Sequence, residues 1–201
     1  EDTTILKSPG ADLFLFGRGD GHDTLSSRRI HAYDWWMTQP SQQYGAAVVV
    51  DDVVRFKAGI SPDDITVAGV RTEWGNKNWS TDIRIEISGD PDSSLRIEGF
   101  LNGYRLGTSY KSTVKRFEFA DGTVWSFEDI ANRVIWRGTS DDDVSLYGSE
   151  YDDRIFGYDG DDRIAGLWGS DHIDAGEGDD TIYAANGDDG VYGGGGNDWI
   201  D

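Results

Sequence analysis

Residues 148–201 divide into consecutive nine-residue repeats without an insertion, and this feature constrains the fold more than any other in the 201-residue chain. The sixth position of each repeat is Asp, and the eighth is Ile or Val. The sixth-position residues are Asp153, Asp162, Asp171, Asp180, Asp189 and Asp198. A less regular repeat begins at Gly138 and fits only if one residue is inserted before Gly148. A fixed short period over so many copies is typical of a solenoid.

The residue types within a repeat predict its local structure. Position eight supplies one inward apolar side chain between outward positions seven and nine, which predicts a short strand. The preceding positions are rich in Gly and Asp and predict a turn, because Gly accepts a positive φ. Two repeats then form one coil, so that repeats n and n+2 stack about 4.8 Å apart. The predicted columns contain Asp153, Asp171 and Asp189 on one side, and Asp162, Asp180 and Asp198 on the other.

Stacked carboxylates predict a bound cation. Two unit charges about 5 Å apart repel by roughly 3 kcal/mol at an effective dielectric constant of 20. A hard cation between coils reverses the sign, and Ca²⁺ suits the turns better than Mg²⁺ because it accepts about six to eight oxygens in flexible geometry. Four stacked pairs can be counted, and Asp171 and Asp180 each belong to two of them, so replacing either is expected to cost more than replacing Asp153.

The pattern G-G-x-G-x-D-x-U-x in residues 138–201 resembles the RTX, or haemolysin-type, calcium-binding repeats of bacterial proteins exported by type I secretion. The resemblance implies an all-β fold with a parallel β-roll over residues 137–201. It also implies that several Ca²⁺ ions are held between coils by the sixth-position Asp and by turn carbonyls. The implied ligands are Asp142, Asp153, Gly157, Asp159, Asp162, Gly166, Trp168, Asp171, Gly176, Asp180, Asn186, Asp189 and Asp198.

The N-terminal residues show the same order of residue types. Asp12 and Asp23 occupy the sixth position, but they are separated by eleven residues, not nine. This resembles the stretched last coils of an RTX block and adds Asp12 and Asp23 to the implied ligands. Residues 1–25 are therefore expected to be the tail of an upstream block. The chain, which stops inside a repeat at Asp201, is expected to be part of a longer protein.

Residues 26–136 contain no nonamers and are expected to form a small, mostly antiparallel β domain with one short helix that caps the roll. Ala120–Gly122 predicts a hairpin, and Ser126 with Asp129 predicts a helix that continues to about Val134. Ser61 followed by Pro62 predicts a single helical turn. The predicted strands are Val53–Lys57, Ile65–Val70, Asp82–Ser88, Leu95–Phe100 and Val114–Phe119. Residues 53–130 are similar to the haemolysin-type calcium-binding-related segment that lies between RTX blocks.

Composition excludes several classes of function. The 38 acidic and 18 basic residues give a net charge of −20, which argues against nucleic acid and anionic membranes as partners. No apolar run approaches membrane-spanning length, and the chain has no Cys for a disulfide or a thiolate zinc site. No zinc-protease pattern and no Ser/His/Asp constellation appears in context. The chain is therefore expected to be non-enzymatic.

The expected function is a calcium-binding segment of a secreted Gram-negative bacterial protein that folds when it meets extracellular Ca²⁺ after type I secretion. Its expected location is outside the cell or at the bacterial surface, and the secretion machinery is a partner through the parent protein. An adhesion module is one alternative, because loop aromatics could stack on a glycan or another host-cell ligand. These aromatics are Tyr33, Trp35, Trp36, Trp74 and Trp79. The other alternative is a non-catalytic part of a secreted enzyme or toxin.

The capping role makes a local prediction. A solenoid coil cannot bury its apolar face alone, so the first coil must pack against the preceding domain. Trp136 lies immediately before the first repeat and is expected to be buried at this junction.

Overall fold

The structure is a computed structural model that describes residues 4–6, 11–26, 51–74, 78–101 and 112–201, with the backbone alone at 4–6, 72–74 and 78–80. Within these ranges the chain is almost entirely strand. The strands are β1 Thr4–Leu6, β2 Leu13–Phe16, β3 His22–Ser26, β4 Asp52–Phe56, β5 Ile65–Trp74, β6 Asn78–Ile87, β7 Asp90–Ile97, β8 Val114–Glu118, β9 Val124–Ser126, β10 Val134–Arg137, β11 Leu146–Tyr147, β12 Arg154–Asp159, β13 Arg163–Trp168, β14 His172–Glu177, β15 Thr181–Asn186, β16 Gly190–Gly195 and β17 Trp199–Ile200. The prediction of an all-β fold is confirmed.

Two short helical segments interrupt the strands where the sequence predicts them. The α-helix α1 spans Phe127–Ala131, and its start has the predicted capping box. The Ser126 Oγ accepts the Asp129 N–H at 3.1 Å, and the Asp129 carboxylate accepts the Ser126 N–H at 2.8 Å. The helix ends before Val134 because Val134 begins β10. A 3-10 helix spans Pro62–Asp64. In the described ranges, neither segment is long and apolar enough to cross a membrane.

The repeats contribute strands to two sheets in alternation. Strands β10, β12, β14 and β16 are neighbours in one sheet, and β11, β13, β15 and β17 form another. All pairs between these strands are parallel and join equivalent positions of repeats n and n+2, such as Ile155 with Ile173 and Ile164 with Ile182. The eighth-position side chains of Ile155, Ile164, Ile173 and Ile182 are therefore fully buried between the two sheets, whereas Ile200 in the last strand is 51% exposed.

The strands before β10 pair in both directions, so the prediction of a mostly antiparallel domain is wrong. The hairpin β8–β9 and the meander β5–β6–β7 are antiparallel. In contrast, β4 pairs in parallel with β2 and β8, and β7 pairs in parallel with β3. Parallel pairs need long crossover connections, which leave no local turn signal in the sequence. The nine-stranded sheet, in the order β1-β3-β7-β6-β5-β10-β12-β14-β16, joins this part of the chain to the repeats.

One apolar core runs through the molecule from Phe16 to Ile182. Trp136 is 2% exposed, which confirms its predicted burial. Its ring lies against Gly69 of β5, where a Cβ would lie 2.2 Å from the indole, so only Gly fits beneath the ring. The aromatic packing of Trp136 therefore connects the β5–β6 hairpin to the first coil of the repeats.

Candidate metal centre

The sixth-position carboxylates form two buried rows. Asp153, Asp162, Asp171 and Asp180 are at most 3% exposed. The Oδ1 atom of each later residue accepts the backbone N–H of the sixth-position Asp one coil earlier. These bonds are Asp153 to Asp171 (2.9 Å), Asp162 to Asp180 (2.8 Å), Asp171 to Asp189 (2.9 Å) and Asp180 to Asp198 (3.1 Å). The structure thus brings together the two columns that the spacing predicts.

The second oxygen of three of these carboxylates has no hydrogen-bond donor. The Oδ2 atoms of Asp162, Asp171 and Asp180 are buried and unpartnered. A buried polar atom without a partner costs about 1–3 kcal/mol, and more when the group is charged. These three oxygens therefore require a positively charged ligand if the carboxylates are ionised.

Backbone carbonyls converge on the same oxygens beside the first-position glycines. The point where a Cβ on Gly157 would lie is 2.4 Å from the Asp162 Oδ2 and 2.2 Å from the Ala175 carbonyl oxygen. The corresponding point at Gly166 is 2.3 Å from the Asp171 Oδ2 and 2.7 Å from the Ala184 carbonyl oxygen. The absence of a side chain keeps this space open between coils. An all-oxygen environment of carboxylate and carbonyl groups fits Ca²⁺.

Burial changes the acidity of these carboxyls. Burial raises the pKa of Asp153 to about 7, against the lowering effect of hydrogen bonds from Trp136 and Ser149. Burial also raises the pKa of Asp171 to about 6, and it raises those of Asp162 and Asp180. Burial thus makes the ionised form of these carboxyls less favourable than that of an exposed Asp. A bound cation would stabilise that form.

The remaining predicted ligands lie in the turns around these rows. Asp159, Trp168 and Asn186 occupy the third position and end strands β12, β13 and β15. Gly176 occupies the second position with φ of 106°. No group of three or more His, Asp or Glu side chains converges anywhere in the described residues, so a cation in these turns would depend on backbone carbonyls as well as carboxylates.

The irregular first repeat places Asp143, rather than Asp142, in the sixth-position row. The Asp143 N–H donates to the Asp162 Oδ1 at 2.8 Å, as the regular repeats do. The inserted residue falls after Asp143, where Val144 is 74% exposed. Asp142 instead accepts the Asp161 N–H at 2.9 Å and belongs to a neighbouring row.

That neighbouring row consists of the fifth-position residues, which the sequence analysis missed. The Oδ1 atoms of Asp152, Asp161 and Asp179 accept the fifth-position N–H of the coil that follows. The partners are Ser170, Asp179 and Asn197, each at 2.8 Å. These bonds run opposite in direction to those of the sixth-position row. The signal was present, because position five is Asp, Ser or Asn in all the regular repeats.

The predicted N-terminal ligands lie apart from these columns. Asp23 is in β3, which is separated from β12 by β7, β6, β5 and β10. The Asp12 N–H donates to the Asp52 Oδ1 at 3.0 Å, the same contact that joins sixth-position residues in the repeats. Asp52 is 1% exposed, and its Oδ2 accepts the Thr113 hydroxyl at 2.5 Å. Protein donors therefore satisfy the Asp52 carboxylate, and no repeat in the sequence marks this position.

Positive φ at the second position gives a test of the turn conformation. Tyr158, Leu167 and Ala185 have φ of 84°, 85° and 77°, which costs a residue with a side chain about 1–2 kcal/mol. Replacing Ala185 by Gly is expected to raise the free energy of unfolding by about 0.5–1 kcal/mol, because Gly removes this strain. The matched change Ala184→Gly has no such strain to relieve and is expected to lower it by a similar amount. Thermal unfolding in excess Ca²⁺ measures both, and an equal effect of the two changes would contradict the assigned turn.

Comparison with known families agrees with this geometry. Residues 137–172 and 166–200 match the model of the RTX calcium-binding nonapeptide repeat (4 copies). Residues 82–129 match the haemolysin-type calcium binding protein related domain. No curated protein matches the chain. The resemblance inferred from the repeats is thereby confirmed, and such repeats imply a calcium-binding module of a secreted protein.

Proposed function

We propose that residues 137–201 form an RTX β-roll that binds Ca²⁺ between its coils and folds when calcium is supplied outside the cell. The proposal depends above all on the buried, unpartnered Oδ2 atoms of Asp162, Asp171 and Asp180. Each of these carboxylates offers one unpartnered oxygen, so the roll has three candidate places for a cation, two beside Gly157 and Gly166 and a third where Ala175 occupies the first position. When bound, Ca²⁺ supplies the positive charge that links each carboxylate to the carbonyls of the next coil.

Calcium at extracellular concentration is sufficient to drive folding by this route. With a dissociation constant of about 10⁻⁴ M, one site at about 1 mM Ca²⁺ contributes roughly 1.4 kcal/mol. Three sites contribute about 4 kcal/mol, which is close to the whole stability of a marginal domain. In the low free calcium of a bacterial cytoplasm, the same carboxylates repel one another and keep the roll unfolded. That difference suits a protein exported unfolded by a type I system of a Gram-negative bacterium.

The module is proposed to be non-catalytic. Among the described residues, the sixth-position carboxylates accept hydrogen bonds between successive turns and line the candidate metal sites, so they lack the separated roles of an acid–base pair. The alternative of a glycan-binding surface depends on Tyr33, Trp35, Trp36, Trp74 and Trp79, whose side chains lie outside the described part of the chain. The glycan-binding function therefore stays a prediction. The alternative that the chain is a non-catalytic part of a secreted enzyme or toxin also stays a prediction.

Equilibrium dialysis against ⁴⁵Ca²⁺, combined with far-UV circular dichroism, tests the proposal. We expect three ions per chain at millimolar calcium and a gain of β signal over the same concentration range. Mg²⁺ is expected to be a poor substitute, because it keeps its water shell and requires octahedral geometry. Absence of calcium binding at millimolar concentration would overturn the proposal.

A further inference from the structure

The carboxylates that head the two columns, Asp143 and Asp153, differ from those below them because protein donors satisfy them. The Asp153 Oδ1 accepts the Trp136 indole Nε1–H at 2.8 Å and the Ser149 hydroxyl at 3.1 Å, and its Oδ2 accepts the Ser149 backbone N–H. The Asp143 Oδ2 accepts the Thr139 N–H at 2.7 Å. In the following repeats, the equivalent Oδ2 atoms of Asp162, Asp171 and Asp180 have no hydrogen-bond donor.

The sign of the backbone φ angle at position two distinguishes the first two repeats from the later ones. From residue 157 onward this position has a positive φ, in the left-handed region, as at Tyr158 and Leu167. Thr139 and Ser149, the second-position residues of the first two repeats, are not among the described residues with positive φ. A change in the sign of φ alters the position of the N–H relative to the turn. The second-position N–H donates to the sixth-position carboxylate at Thr139 and Ser149, whereas the Oδ2 atoms of Asp162, Asp171 and Asp180 in the later repeats have no donor.

The side chain of Arg71 binds the carbonyl group of Gly148, the first residue of the second repeat. The Arg71 guanidinium donates to the carbonyl oxygens of Tyr147 and Gly148 at 2.7 and 2.8 Å. It also lies 5.3 Å from the centre of the Trp136 ring. Gly148 is a first-position residue, equivalent to Ala175 and Ala184, whose carbonyls face the unpartnered carboxylates. The carbonyls that face the Asp143 and Asp153 Oδ2 atoms are those of Gly157 and Gly166, so Arg71 does not replace an ion there and acts on Asp153 only through its contact with the Trp136 ring.

We infer that the first two repeats, residues 138–156, need no calcium, because Trp136 and the second-position N–H groups take the place of the ion. Asp143 and Asp153 are then structural acceptors and not metal ligands. This inference rests on the proposed function, since it concerns which carboxylates of the roll bind Ca²⁺. It gives the roll a permanently formed end, from which calcium-dependent coils add in the direction of residue 201.

The number of ions bound by matched Asp→Asn variants tests this inference. By equilibrium dialysis, Asp153→Asn is expected to retain three ions per chain, whereas Asp162→Asn is expected to retain two. Loss of an ion from Asp153→Asn would overturn the inference. If Asp162→Asn also retained every ion, the proposed role of the carboxylates would fail instead.

A second variant keeps the test valid if Asp153→Asn does not fold. Trp136→Phe preserves an aromatic ring but removes the N–H that Asp153 accepts. It is expected to retain all three ions while raising the calcium midpoint of folding about twofold, because a hydrogen bond to a charged group contributes roughly tenfold to the folding constant, shared among three ions. Trp125→Phe is the control, since Trp125 contacts Phe119 and Arg133 and not Asp153. Equal midpoints for the two variants would overturn the inference.

Discussion

Removing Ca²⁺ with a chelator is expected to abolish the hydrogen-exchange protection of residues 157–201 and to leave residues 82–101 and 112–129 protected. The repeat segment, residues 137–201, contains 18 acidic and 3 basic residues, so without a cation its buried carboxylates have no compensating charge. The loss of three sites, about 4 kcal/mol in total, is sufficient to unfold a marginal domain. Exchange followed by mass spectrometry measures protection in each segment separately.

The preceding segment has its own means of neutralising buried acid. Asp82 is 1% exposed and accepts the Arg96 guanidinium at 2.5 Å and the Gly99 N–H at 2.7 Å. This segment is therefore expected to keep its structure in chelator. Protection of β12 to β16 that is equal with and without calcium would contradict the account.

A methyl group added at Gly157 is expected to remove one calcium ion and to lower the free energy of unfolding in calcium by about 2–3 kcal/mol. The new Cβ would lie 2.2 Å from the Ala175 carbonyl oxygen and 2.4 Å from the Asp162 Oδ2. The coils would have to separate, since one of the two contacts is backbone. Gly166→Ala is expected to behave in the same way, because its Cβ would lie 2.3 Å from the Asp171 Oδ2. Dialysis and chemical denaturation in millimolar calcium measure both effects.

Gly190→Ala is the matched control for this prediction. It makes the same chemical change within the roll, at a strand position without positive φ. The nearest atom to its Cβ would be the His172 Nδ1 at 3.7 Å, an ordinary contact distance. The number of bound ions is expected to be unchanged, and the free energy of unfolding is expected to stay within about 0.5 kcal/mol of that of the starting protein. If Gly157→Ala were equally harmless, the space beside Gly157 would not be a metal site.

The regular part of the fold was predictable because its signals are periodic. The nine-residue spacing of Asp162, Asp171 and Asp180 determines which residues stack, and the eighth-position Ile side chains determine which face is buried. The capping box at Ser126 was predictable for the same local reason, since its two partners are three residues apart. Whether the second oxygen of a stacked carboxylate has a protein donor was not predictable, because the near donors Thr139 and Ser149 depend on the backbone conformation of the turn and the Trp136 donor is distant in sequence. Trp136 is 17 residues from Asp153.

The unpredicted features depend on contacts between distant residues. Asp52 lies in a carboxylate row with Asp12, 40 residues earlier, and no repeat marks it. The position of the insertion in the first repeat is ambiguous in sequence, because Asp141, Asp142 and Asp143 are consecutive. Packing resolves it, since Leu146 must pair with Ile164 in the sheet. The parallel pairing of β4 with β2 and β8 likewise joins residues that are distant in sequence and has no local turn motif.

A crystal structure of the calcium-loaded protein, with ions located by anomalous scattering, tests the central claim most directly. The account predicts ions at about 2.3–2.6 Å from the Oδ2 atoms of Asp162, Asp171 and Asp180. It predicts no ion on the carboxylates of Asp52 and Asp153, whose oxygens already accept protein donors. Empty positions beside Asp162, Asp171 and Asp180, in crystals that hold calcium elsewhere on the chain, would contradict it.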